Sequence, residues 1–90
     1  MSQAPYIAMI PILDIVAADV ALEQVGDEFR GLCPFHRETG PSFYVVPSIG
    51  VFHCYGCGAH GDAINFVMQR RSLSFPDAVN FISAVWEPGP

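Results

Sequence analysis

The sequence contains no lysine. Its only cations are Arg30, Arg37, Arg70 and Arg71, set against nine carboxylates for a net charge of −5. A chain so poor in positive charge is not a generic polyanion binder, so any role on nucleic acid has to rest on local charge. Charged residues make up 14% of the 90 residues and apolar ones 51%, which excludes a disordered tail. Long apolar runs are missing as well. The longest uncharged one, Ala4 to Leu13, is interrupted by Pro5 and Pro11 and falls well short of the ~20 residues a membrane span needs. The N-terminus lacks the basic residue and small-residue cleavage site of a signal peptide, so the expected location is cytoplasmic, with no membrane partner. No carboxylate pair, nucleophile–base set or glycine-rich phosphate loop stands out, and the chain is expected to be non-catalytic by itself.

Three cysteines are an odd number and cannot close a disulfide framework. In a reducing compartment, clustered cysteines beside a histidine hold a metal more often. Cys33-Pro34-Phe35-His36 forms a C-x2-H pair and Cys54-Tyr55-Gly56-Cys57 a C-x2-C knuckle. Two residues between ligands let a tight turn aim both side chains at one ion, and Gly56 and Gly58 relieve the backbone crowding of such a turn. Cys33, His36, Cys54 and Cys57 therefore suit one tetrahedral, structural Zn²⁺ with no open position. Because a domain this small buries only ~60–65% of its unfolded surface, a zinc supplying on the order of 10–16 kcal/mol is the staple it lacks. His53 and His60 lie close in sequence, but His53 adjoins Cys54 on a strand and its side chain should point away from the ion. Surface or supporting duty is expected of both.

The Ala-, Val- and Leu-rich segment from Ile12 to about Val25 reads as a helix with Gly26 as its C-cap. One local conflict goes with that reading: Glu23, Asp27 and Glu28 cluster at a carboxyl end, where the helix dipole disfavours them. Short strands follow at Phe29–Leu32, Ser42–Val46 and Val51–His53, the last two joined through Pro47-Ser48-Ile49-Gly50. Asp62 caps a helix running to about Arg71. Ser74 caps a last one, whose stripe is Phe75, Ala78, Val79, Ile82, Val85 and Trp86, with Pro88 and Pro90 ending it. The expectation is an α+β fold, a small zinc ribbon with a short antiparallel sheet and about three flanking helices. Residues 1–90 form a single domain, with 1–11 a loose lead-in and 12–86 the folded core.

Gly31-Leu32-Cys33-Pro34-Phe35-His36, then Pro41-Ser42-Phe43, then the run from Phe52 to Ile64 and Phe66-Val67-Met68 closely resemble the N-terminal zinc-binding domain of bacterial and phage DNA primases. The likeness extends from about residue 12 to 85. It implies a zinc ribbon that contacts single-stranded template DNA and helps select where RNA primers start, in DNA replication. Polymerisation in that family belongs to a separate catalytic domain, so the implied partners are single-stranded DNA and a replication protein such as a primase catalytic domain, a polymerase or a helicase; the acidic charge balance makes the expected DNA binding weak. Departures from the family lie in charge: Thr39 stands where a lysine is usual, and acids fill the stretch before Cys33.

By segment, residues 1–29 carry −5, residues 30–71 carry +2 and residues 72–90 carry −2, so the ribbon and its helix form the cationic region. If it meets single-stranded DNA, Tyr44, Phe52 and Tyr55 are the candidates to stack bases, with Arg30, Arg37, Arg70 and Arg71 on phosphates. Arg70 and Arg71 at a helix end also complement its dipole. The acidic balance and apolar excess favour a second reading: a protein–protein adaptor or inhibitor docking on a primase, polymerase or helicase, its DNA binding weakened or lost. The same excess makes self-association an expectation.

Overall fold

The computed structural model describes residues 11–37 and 40–85. The lead-in before Pro11, Glu38, Thr39, and the expected helix end at Trp86 with Pro88 and Pro90 lie outside the described residues. Helix α1 spans Ile12–Ala17, and five strands follow: β1 Glu23–Val25, β2 Glu28–Gly31, β3 Phe43–Val46, β4 Val51–Cys54 and β5 His60–Gly61. Helices α2 (Ala63–Arg71) and α3 (Phe75–Val85) are the last described elements. The strands form one antiparallel sheet in the order β1-β2-β3-β4-β5. The architecture is α+β, as expected, with three helices among the described residues against a short sheet.

The first expected helix needs correcting. It stops at Ala17, and residues 23–25 are a strand. Gly26 is no helix cap: with φ +63° it starts the two-residue Gly26-Asp27 turn joining β1 to β2. Only Gly26 of these two residues has positive φ, the signature of a type II′ hairpin turn, whose twist matches that of the strands. The acids that sat badly at a helix end find better places here. Glu23 faces Arg30 across the pair and accepts its Nε–H at 2.7 Å.

The sheet buries one face. Phe43, Val45, Phe52 and Cys54 point inward, while Tyr44, Val46, Val51 and His53 alternate outward and are half-buried, the period-two pattern of a one-sided sheet. Phe35, Phe43, Phe52 and Phe66 of α2 pack with ring centroids 5.5–6.2 Å apart. Ile12, Ile15 and Val16 of α1, Val67 of α2, and Ala78 and Ile82 of α3 close the core around them. Both later helices start as their sequences direct. Asp62 and Asn65 form a reciprocal capping box, with Asn65 N–H donating to Asp62 Oδ1 at 2.8 Å, and Asp77 N–H donates to Ser74 Oγ at 3.3 Å. Among the described residues no helix is long and apolar enough to cross a membrane.

Candidate metal centre

The two ligand pairs converge at one end of the sheet because the strands that carry them end there. Cys33 follows the end of β2 and Cys54 is the last residue of β4, with Phe43 of β3 paired to Cys54 between them. One donor atom from each of Cys33, His36, Cys54 and Cys57 lies within 4.8 Å of every other. The knuckles share a local design: Cys33 Sγ accepts the N–H of Phe35 at 3.3 Å, and Cys54 Sγ accepts that of Gly56 at 3.3 Å. Such bonds favour the thiolate, the form that binds metal. Gly56 also leaves room for the histidine, since a Cβ there would sit 2.8 Å from His36 Nε2. His36 Nδ1, on the other side of the ring, is 3.9 Å from Cys54 Sγ.

These spacings fit zinc. Two sulfurs each ~2.3 Å from a tetrahedral ion stand about 3.8 Å apart, and Cys33 Sγ and Cys57 Sγ are 3.8 Å apart. The set of three sulfurs and one nitrogen is that of a closed, structural Zn²⁺ site, and its place beside Phe35 ties it to the aromatic core. Neither His53 nor His60 belongs to the cluster.

The thiols also show why a cation is needed. Burial pushes the Cys33 thiol up to about 12, aided by the neighbouring Cys54 and Cys57. Burial pushes Cys54 upward too, but N–H groups of Cys57 and Gly56 and the Ser42 hydroxyl outweigh it and leave that thiol below its ordinary value. In this folded geometry a cation at the site is what lets the Cys33 thiol give up its proton. Zinc added to the metal-free chain at pH 7, where thiols with an ordinary pKa of ~8.5 are mostly protonated, is expected to release protons, and zinc affinity to rise with pH. Calorimetry in two buffers of different ionisation enthalpy checks this, and identical heats in both would contradict it.

The other sequence-picked residues fall in four places. Tyr44, Tyr55 and Arg30 stand on the outer face of the sheet. Phe52 does not: it is 1% exposed in the aromatic core, and as a base-stacking residue it is corrected, because its strand parity matches that of Cys54 and Phe43. Arg70 and Arg71 lie at the end of α2, on the buried side of the sheet, where Asp19 holds them at 3.6 and 3.9 Å and Arg71 also sits 4.3 Å over the Phe81 ring. Arg37 is exposed and makes no ion pair among the described residues.

The outer face has an order that the sequence reading missed. The strand register places Glu23, Arg30, Tyr44, His53 and His60 opposite one another, one residue from each strand. Tyr55, 72% exposed, leans on this row, with ring centroids 5.4 Å from Tyr44 and 4.6 Å from His53. His53 and His60 rings are stacked 6.2 Å apart. Their placement was legible in principle, since His53 has the opposite parity to Phe52 and Cys54, but β5 itself left no pattern longer than His60-Gly61. The Glu23 carboxylate, then the Tyr44 side chain, hold the Arg30 guanidinium above its usual range.

The family pattern described as the CHC2 zinc finger, of the DnaG zinc-ribbon type, matches residues 5–87. The chain is 46% identical to the DNA primase of Thermotoga maritima over 70 residues, 78% of this chain and 12% of that protein. It is 47% identical to the DNA primase of Neisseria meningitidis serogroup A over 77 residues, 86% of this chain and 13% of that one. The crystal structure of the Aquifex aeolicus primase, comprising its zinc-binding and RNA polymerase domains, superposes with a TM-score of 0.86 at 39% identity, covering 93% of this chain and 21% of that one. The chain thus spans about an eighth of the length of these curated relatives.

Proposed function

This chain belongs to the CHC2 zinc-finger family of DnaG-type primases, and we propose that it binds single-stranded template DNA on the outer face of its sheet to help start primer synthesis. The observation that carries this reading is the row of Arg30, Tyr44, His53 and His60 with Tyr55 over it. Exposed rings offer π-faces to successive unstacked bases, and stacking contributes ~1–3 kcal/mol per base in such proteins. Exposed Arg37, beside the zinc knuckle, supplies phosphate contact free of a competing carboxylate among the described residues. Arg70 and Arg71 contact phosphate only if Asp19 lets them go. Zinc holds this surface in shape and takes no part in chemistry. The DNA-synthesising step falls to a separate primase RNA polymerase domain, the partner this reading implies.

Fluorescence anisotropy with a labelled single-stranded oligonucleotide tests this at low and moderate salt. Binding that weakens steeply with salt, and that falls roughly tenfold in Tyr55→Ala for the loss of one stacked base, is the expected result. Arg37→Ala should flatten the salt dependence. If the oligonucleotide does not bind at low salt, or if Tyr55→Ala binds as well as the parent, the reading fails. The adaptor reading would then take its place, favoured by the acidic hairpin of β1 and β2.

A further inference from the structure

We infer that the open edge of the sheet, strand β1, accepts an extended cationic segment of another polypeptide as an added strand. Among the described residues β1 is paired on one side only, with β2, and Glu23, Gln24 and Val25 are all exposed. Across a two-residue hairpin turn, Val25 and Glu28 exchange both backbone bonds, as do Glu23 and Arg30. The intervening Gln24 therefore turns its backbone N–H and C=O away from β2. Sheet edges are usually blunted by shortness, charge, proline or a bulge; β1 is three residues long and carries Glu23, but it has no proline, lysine or bulge to keep a cationic strand off.

Charge selects the occupant. Glu23, Asp27 and Glu28 lie on this edge and its turn against Arg30 alone, and Glu23 already engages Arg30 at 2.7 Å. Nucleic acid is repelled here, and so is a second copy, which would lay one acidic edge beside another. A basic strand is attracted. Apolar side chains lie alongside: Leu22, Leu32 and Pro41 line a shallow hollow whose rim also carries Glu23 and Arg30, and Leu32 is 54% exposed. Glu23 shares the outer face with Arg30, whereas Gln24 has the other parity, and Leu22 precedes the strand. A strand alternating Lys or Arg with Val or Ile would set its cations beside Glu23 and its apolar side chains beside Leu22. Main-chain bonds would supply affinity and the alternation specificity.

This surface is separate from the zinc site and stands or falls independently of the DNA reading. The test uses the zinc-loaded full chain, ¹⁵N-labelled, titrated with a capped peptide of alternating Lys and Val and with its Glu–Val counterpart. The Lys–Val peptide is expected to bind in a salt-sensitive manner and to slow hydrogen exchange at the Gln24 amide. Gln24→Pro removes an N–H that donates nothing to β2, at an edge position where proline is tolerated. It should weaken the peptide about tenfold with zinc content unchanged. Failure of the Lys–Val peptide to bind, equal binding of the Glu–Val peptide, or unchanged exchange at Gln24 in the complex would each overturn the inference. Should Gln24→Pro not fold, Asp27→Asn/Glu28→Gln replaces it: weaker Lys–Val binding is expected, and undiminished binding overturns it.

Discussion

Removing the zinc is expected to unfold this domain. The metal connects the ends of β2 and β4 through Cys33, His36, Cys54 and Cys57, and nothing else among the described residues cross-links those turns covalently. Structural zinc sites contribute on the order of 10–16 kcal/mol, which equals or exceeds the 5–15 kcal/mol by which domains are stable at all. Chelation should therefore abolish near-UV circular dichroism in one step, and added zinc should restore it at one ion per chain. Cys54→Ser should act like partial chelation, because Cys54 is fully buried and accepts hydrogen bonds that tie its knuckle together. Cys57→Ser is expected to be milder, since Cys57 is exposed. A metal-free chain that keeps its near-UV signal and melts at the same temperature would sink this account.

What could be read from the sequence was what local chemistry decides. The zinc pairs are legible because each is closed by a turn of two intervening residues, and the starts of α2 and α3 because Asp62 and Ser74 act on N–H groups three residues away. The segment from Ala18 to Glu28 is not decided locally. A glycine with positive φ ends a helix and turns a hairpin equally well, so Gly26 fits either reading. Three consecutive strand residues also leave too short an alternation to outweigh the Ala-rich run before them. The deciding contact, Glu23 with Arg30 seven residues on, exists only once the strands have paired. The acids massed at a supposed helix end, with Gly-Asp between two short runs, were the available signal. The outer row of Arg30, Tyr44, His53 and His60 lay further out of reach, for it needs the register of four strands at once.

Phe52 and Tyr55 lie three residues apart, and their substitutions should separate stability from binding. Phe52 is 1% exposed and touches the Phe35, Phe43 and Phe66 rings at 5.5–6.0 Å. Phe52→Ala should therefore cost about 3–5 kcal/mol, through lost burial and the cavity left behind. Urea unfolding of the zinc-loaded protein reads that loss directly as a lower midpoint. Because β4 carries Phe52 and Cys54 on one face, two residues apart, the variant should also surrender zinc to a competing chelator sooner. Tyr55→Ala removes a ring that is 72% exposed. Its backbone N–H still donates to Ser42 O at 2.9 Å, and its midpoint should stay within about 0.5 kcal/mol of the parent, as for other surface changes, while oligonucleotide binding falls. The reverse pattern, a stable Phe52→Ala that loses DNA and a Tyr55→Ala that unfolds, would mean that β4 presents its other face. The inward placement of Phe43, Phe52 and Cys54 would then be wrong, and with it the outer face on which the DNA reading rests.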